Sequence, residues 1–399
     1  MENKYHSLFI EFNSSNILFY AGKFDAENRF ILEEKIIVND QDFNKGKFLN
    51  INEISLNIKK NIRILEEKLN CVFTKVTLIL ENFKFYCINI SGYKKLNGSQ
   101  VLKENIAFIL NSLKLSISEN NKDKTIVHIF NSKSLLDGTR MKNIPIGLFG
   151  NFYNHELTFF LIEKNFYNNI KQLFKKNNIE IEKILHKSYC DGVNLINKTP
   201  SKDTFFIIKI EDNNSHVSFF EEASFRYHQK FNFGTDLIIK DITKICSVKP
   251  ETVKLFLKSI NQEINDLDEN EFIEKEYFGN EIFRKIRKKM IIEIAYARIQ
   301  EIIDIIFNKN TNLKLFNIKE QTKYFLLSNE LIRNKFGKTF NKLILNYHQN
   351  EIIDYRKYEM DEYISEIANL ATFGWKKEAV PISQTKSSII SKIFRSIFG

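Results

Sequence analysis

The order in which strand-like and helix-like segments follow one another is used twice in this chain, and that repeat narrows the fold more than any composition figure. Residues 5–12, 17–21 and 30–38 are rich in β-branched and aromatic side chains and read as three successive strands. A segment with apolar residues at helical spacing follows over 52–70, then a short apolar run, 76–80, that reads as a buried strand. Beyond the middle of the chain the order returns. Residues 205–210, 217–220 and 225–233 read as strands, 235–246 and 250–259 as helices, and 324–327 as a later strand. A strand meander leading into helix and strand, present twice, predicts an internally duplicated, two-lobed α/β fold. Folds of that kind clamp a nucleotide in the cleft between the lobes.

Between the halves lies a segment of different character: a strand over 85–90, a helix over 100–115 and a strand over 125–130. Asp137-Gly138 and Pro145-Ile146-Gly147-Leu148-Phe149-Gly150 come next, before a strand over 157–162, a helix over 165–177 and a short strand over 181–185. Glycine is scarce, with 13 in 399 residues, against a usual share of about 7%. Three of those 13 fall between positions 137 and 150, together with one of the four prolines. Such clustering marks turns that the fold needs sterically.

Composition removes several classes. With 43% hydrophobic residues the chain can bury a sizeable core. Its net charge of +10 favours acidic partners, but the basic residues are spread along the chain and form no nucleic-acid module, so no nucleic-acid partner is expected. The four cysteines, Cys71, Cys87, Cys190 and Cys246, form no Cys-x-x-Cys pair, and no leader segment is evident at the N-terminus. Reduced thiols in a cytosolic protein are the expectation. The seven histidines show no metal-ligand spacing, which leaves a metalloenzyme or thiol hydrolase without support.

The last residues, 387–399, have their own pattern. On a helix, Ile389, Ile390, Ile393, Phe394, Ile397 and Phe398 share one side, and Ser388, Ser391, Lys392, Arg395 and Ser396 fill the other. A short, basic, amphipathic helix reads as one that lies in a membrane surface, being far below the roughly 20 apolar residues that span a bilayer. Lys392 and Arg395 each add about 1 kcal/mol on an anionic leaflet. One copy binds weakly, and several copies held together bind firmly. The alternative is a helix that docks onto its own body or into a partner's groove. Residues 376–386, with Pro381 and no apolar periodicity, read as a flexible tether.

These motifs together resemble FtsA, the actin-like protein that anchors the bacterial division ring. The resemblance rests on Asp137-Gly138, then Pro145-x-Gly147-x-x-Gly150 leading into the strand of 156–162. It extends to the passage 177–185 with its glycine lost, to Ala297-Arg298-x-x-Glu301-Ile302, and to the linker and tail helix. It implies an actin-like (hexokinase-type) two-lobed α/β fold with an inserted small α+β (SHS2-type) subdomain and a C-terminal amphipathic helix. On that template residues 1–83 and 164–202 are the first lobe and 84–163 the insertion. Residues 203–235 and 319–375 are the core of the second lobe, and 236–318 its partner-binding subdomain. The tether and the membrane-targeting helix, 376–386 and 387–399, complete the chain. The implied function is to anchor FtsZ filaments, through the FtsZ C-terminal tail, to the cytoplasmic face of the inner membrane at the division site. Self-association into polymers, recruitment of later division proteins and contact with anionic inner-membrane lipid belong to the same implication. An actin-like component of a pilus or secretion platform is one alternative, and an actin-fold ATPase or kinase is another.

The nucleotide site departs most from the resemblance. The family's phosphate hairpins depend on glycine, which lets backbone N–H groups approach the oxygens. Here the first hairpin reads Glu11-Phe12-Asn13-Ser14-Ser15-Asn16. The second reads Lys209-Ile210-Glu211-Asp212-Asn213-Asn214-Ser215-His216, where the family has Asp-Ile-Gly-Gly-Gly-Thr-Thr-Asp. The adenine-side turn, Leu327-Ser328-Asn329-Glu330, also lacks glycine. Two readings stay open: a degenerate site that still holds ATP and Mg2+, with Ser14, Ser15, Asn213, Ser215, Arg298 and Glu301 as contacts, or a cleft that has lost nucleotide. ATP hydrolysis is not expected under either. A second candidate site is the basic run 284–289, placed on a helix by Ile286, Met290 and Ile294. By resemblance Arg284, Arg287 and Lys288 bind partner carboxylates; otherwise they form an ordinary solvated face.

Overall fold

In the computed structural model the described residues are 6–13, 16–39, 42–44, 47–199, 203–260, 268–316, 322–328, 335–339, 342–343, 352–354 and 360–379. The elements run β1 (Ser7–Phe12), β2 (Asn16–Phe24), β3 (Phe30–Asn39), β4 (Phe43–Asn44), β5 (Lys47–Phe48), α1 (Ile51–Leu69), β6 (Lys75–Leu80) and β7 (Tyr86–Lys95). Next come α2 (Lys103–Asn120), β8 (Lys124–Leu136), β9 (Thr139–Met141), β10 (Phe152–Glu163), α3 (Lys164–Lys175), β11 (Glu180–His186) and α4 (Lys187–Lys198). The remainder are β12 (Phe205–Ile210), β13 (Ser215–Glu221), β14 (Ser224–Phe231), α5 (Asp236–Cys246), α6 (Pro250–Ser259), α7 (Lys288–Ile306), β15 (Lys323–Ser328), β16 (Ile352–Asp354) and α8 (Met360–Phe373).

Two compact units emerge. Among the described residues, unit 1 holds those up to 204, then 218–228, then those from 360 onward; unit 2 holds 205–217 and the rest up to 354. The duplication read from the sequence is present in the strand order. One five-stranded sheet runs β11-β6-β1-β2-β3 and another β14-β13-β12-β15-β16, so each holds a meander whose first strand neighbours one later strand, which in turn neighbours the next. In the first sheet β1 is antiparallel to β2 and parallel to β6; in the second β12 is parallel to β15, and β15 to β16.

Unit 1 is built around β1, whose Leu8, Phe9, Ile10 and Phe12 are all buried, as a strand covered on both faces requires. Helix α1 places Ile54, Ile58, Ile62 and Leu65 on one stripe against that sheet. Asn50 caps its start by accepting the N–H groups of Asn52 and Glu53, and Asn70 ends it in the left-handed region. The insertion forms its own sheet, β7-β10-β8-β9, with Ile106, Ile109, Leu110 and Leu113 of α2 in the core beneath it. Its glycine cluster is sterically required. Gly138 has φ +80° in the turn between β8 and β9. A Cβ on Gly150 would stand 2.5 Å from Leu136 Cδ1. The neighbouring Asp137 carboxylate, at 2.9 and 2.7 Å, accepts the N–H groups of Asn151 and Phe152, which ties the turn to the next strand.

In unit 2, α5, α6 and α7 precede the later strands. The run 284–289 corrects the sequence reading. Helix α7 starts at Lys288, and residues just before it pair with 271–273 instead: Ile273 N–H donates to Ile286 at 2.9 Å, Lys288 N–H to Glu271 at 2.9 Å, and Phe272 bridges Arg287. Ile286 is buried by this pairing rather than by a helical face.

A further correction concerns 376–386. Asn131 N–H donates to the Lys377 carbonyl at 2.7 Å, and Ala379 N–H to the Ile129 carbonyl at 2.7 Å. Residues 377–379 thus lie along β8 as a short added strand, with Ala379 in the core of the insertion. The expected tether begins no earlier than residue 380. Residues 380–386 and the helix expected over 387–399 lie outside the described residues, and so do its Ile389, Ile390, Lys392, Ile393, Phe394, Arg395, Ile397 and Phe398.

Candidate functional site

In unit 1 the first hairpin closes with Asn13 N–H donating to the Asn16 carbonyl at 3.0 Å. Ser14 and Ser15 lie outside the described residues. Its carboxylate, Glu11, is 3% exposed. Oε1 accepts from Lys187 Nζ at 2.7 Å and Oε2 from the Tyr20 hydroxyl at 3.3 Å. Lys187 is the first residue of α4, whose N-cap His186 accepts the Ser188 N–H through Nδ1. The Lys187 ammonium also sits 4.1 Å from the centre of the Tyr363 ring, and the Tyr363 hydroxyl donates to Asp191 at 3.0 Å. Burial works against the charge on Lys187, but the carboxylates of Glu11, Asp191 and Glu81 outweigh it and hold its pKa above the ordinary value. Burial, reinforced by Glu11, likewise pushes the Tyr20 phenol up.

The second hairpin, in unit 2, turns over 211–214, with Glu211 N–H donating to the Asn214 carbonyl at 2.9 Å. It is braced against the start of α5. The carbonyls of Glu211 and Asp212 accept the N–H groups of Thr235 and Asp236 at 3.0 and 2.9 Å. Gly234 permits the approach, since a Cβ there would lie 2.1 Å from the Glu211 carbonyl oxygen. Asn213 is exposed at the tip. Ser215 is fully buried, and its hydroxyl donates to the Phe233 carbonyl at 2.8 Å. Lys209, standing where the family has Asp, pairs with Glu211 at 2.8 Å.

Arg298 and Glu301 are brought together on α7, Arg298 donating to Glu301 at 2.6 Å, while the Arg298 Nε–H binds Asp241 of α5. The hydrogen bond that Arg298 donates to Asp241 leads the causes that raise the Arg298 pKa. The pair therefore braces two helices of unit 2. Magnesium-bound polyphosphate does not fit the described residues of either hairpin. Both oxygens of one carboxylate already have donors, the buried hydroxyl is spent on a main-chain carbonyl, and the described hairpin residues include no glycine to let bare backbone approach phosphate. Among the described residues no group of three His, Cys, Asp or Glu could hold a metal ion.

The basic run has internal partners too. Arg284 donates to the carbonyls of Cys246 and Ser247 at 3.3 and 3.0 Å, covering the end of α5. Arg287 lies 3.8 Å from Glu269, and Lys288 pairs with Glu274 at 2.7 Å. Beside them Ile282 is 81% exposed, with Phe283 and Phe272 also open, an apolar surface that sequence reasoning missed.

A buried carboxylate–imidazole contact marks the chain's path after α8. Glu378, 3% exposed, faces His128 Nδ1 at 3.2 Å and accepts from the Tyr189 hydroxyl at 3.4 Å. Burial raises the Glu378 pKa, but the contact with His128 prevails and its net shift is downward. Among the described residues no helix is long and apolar enough to cross a membrane.

No family model matches the chain. It is similar to the cell division protein FtsA of Buchnera aphidicola subsp. Schizaphis graminum (strain Sg), at 22% identity over 294 residues, covering 73% of this chain and 69% of that protein. The FtsA of Buchnera aphidicola subsp. Acyrthosiphon pisum (strain APS) is 20% identical over 287 residues, covering 71% and 68%. Among solved structures, a PilM-PilN type IV pilus biogenesis complex matches with a TM-score of 0.55 at 9% identity, covering 92% of this chain and 98% of that one. A diol dehydratase-reactivating factor in nucleotide-free form matches at 0.50 and 7%, covering 93% and 100%. The fold is actin-like, and the sequence is FtsA-like over about 70% of its length.

Proposed function

We propose that this FtsA-like chain is a membrane-anchored adaptor of cell division. It binds the C-terminal tail of FtsZ, associates with further copies of itself, and holds FtsZ filaments at the inner membrane through the helix of 387–399, recruiting later division proteins there. The similarity to two FtsA proteins over about 70% of the chain carries the reading. The apolar surface of Phe272, Ile282 and Phe283, rimmed by Arg284, Arg287 and Lys288, supports unit 2 as the place where an acidic, apolar peptide binds. Arg287 and Lys288 would exchange internal carboxylates for those of the partner, a route to reversible binding. The chain acts as a scaffold, not as an ATPase or kinase.

The test is fluorescent FtsZ on a supported anionic bilayer, with the full-length protein or one truncated after Thr385. Recruitment by the full chain and its loss on truncation are the expected results. Protein on the bilayer with FtsZ left in solution would remove the division role; neither on the bilayer would remove the tail as anchor as well.

A further inference from the structure

A carboxylate as deeply placed as Glu11 must be offset by positive charge, because an isolated ion in a protein interior is far too costly to keep. Such a charge comes from a bound cation or from a side chain. In unit 1 it comes from Lys187, at 2.7 Å from Oε1, with the Tyr20 hydroxyl on Oε2. The lysine is not a loose visitor. Its backbone begins α4, and its ammonium is covered by the Tyr363 ring, whose own hydroxyl is fixed to Asp191. Only 14% of the Lys187 side chain and 4% of that of Glu11 are exposed, so solvent screens the pair little. A divalent cation brought to Glu11 would meet an ammonium already in place and would be repelled by it.

Unit 2 repeats the arrangement in its own hairpin, where Lys209 pairs with Glu211 at 2.8 Å. We infer that the carboxylates of the two hairpins are neutralised by Lys187 and Lys209, so that these lysines take over the charge compensation a magnesium ion would bring, and the folded protein needs and binds no Mg2+–ATP at them. The upward shift of the Lys187 pKa, in the face of burial, accords with a permanently charged ammonium. Nothing in this depends on FtsZ or on membrane, so failed recruitment on a bilayer would leave it untouched.

The experiment is thermal unfolding of the purified full-length protein with and without millimolar MgCl2 and ATP, alongside equilibrium dialysis against labelled ATP. A ligand present at about 100 times its Kd would raise Tm by roughly 3 °C or more in a chain of this size. The expected result for the wild type is a shift within about 1 °C and no retained label; a rise of roughly 3 °C or more, or stoichiometric retention, overturns the inference. The variants test the pair itself. K187M, which leaves Glu11 uncompensated, is expected to lower Tm, and E11Q/K187M to regain most of the loss. A double variant as unstable as K187M, or a K187M as stable as the wild type, overturns it equally. Should K187M fail to fold, the soluble double variant supplies the recovery, and the wild-type dialysis decides nucleotide binding by itself.

Discussion

The two units solve one electrostatic problem at different depths. Each has a hairpin whose carboxylate is met by a lysine, yet Glu11 and Lys187 are enclosed, whereas Lys209 and Glu211 remain 22% and 24% exposed. The contrast extends beyond the hairpins. Unit 1 also buries Glu378 against His128 and Arg226 against Glu156 and Glu221. In unit 2 the Arg298–Asp241 and Arg287–Glu269 pairs keep a quarter or more of each side chain in water. Deep pairs cost much to break because the survivor is left charged in the interior. Shallow ones are screened and contribute little. The enclosed pairs of unit 1 are thus structural, and the partly exposed pairs of unit 2 can be exchanged.

Replacing Lys187 by Met carries the largest expected effect, a loss of about 3–5 kcal/mol measured by chemical unfolding. A loss under about 1 kcal/mol would place the Glu11 pair in the same class as the exposed ones. Acid should separate the units next. Burial, with Lys377 nearby, pulls His155 down to about 4 from its ordinary value of 6.5, so the unfolded chain takes up a proton that the folded one refuses. That stability is fully present above pH 6.5 and is lost as pH falls towards 4, a drop of about 3 kcal/mol. H155F should flatten this part of the stability–pH curve, and an unchanged curve would remove His155 as its source. In unit 2 the larger sensitivity should be steric: G234A, which drives a Cβ into the Glu211 carbonyl, is expected to cost about 1–3 kcal/mol. K209M is expected to cost under about 1 kcal/mol, and a loss as large as that of K187M would erase the distinction between the hairpins.

The duplicated strand order was legible because β-branched and aromatic runs mark strands wherever they fall, and the glycines at 138 and 150 were legible because so few others compete with them. Helix α4 was not anticipated. Its Gly192 is a poor helix residue locally, retained because the Phe220 ring packs where a Cβ would stand, 1.9 Å from Cζ. The run 284–289 misled for the opposite reason: its apolar spacing suits a helix, but strand-like pairing with 271–273 claims it first. Neither the Glu11–Lys187 pair nor the Glu378–His128 contact had a local signal, since Lys187 is 176 positions from Glu11 and Glu378 is 250 from His128. Ser215 read as a nucleotide contact from its place in the hairpin that resembles the family's phosphate loop, and only the geometry gives its hydroxyl to Phe233.

The strand added along β8 by residues 377–379 has a mechanical consequence. A pull arriving from beyond residue 379 is received by the inserted sheet at Ile129–Asn131, through the bonds of Ala379 and Lys377 and the Glu378–His128 contact. Low loads would leave this fastening closed and transmit force directly to the insertion. Higher loads would release it and pay out about four residues, roughly 14 Å of extra slack at full extension. Trp375, whose indole N–H holds the Ala223 carbonyl at 2.9 Å, would then become the stop. A fastening of this kind gives the chain two working lengths and a force threshold between them.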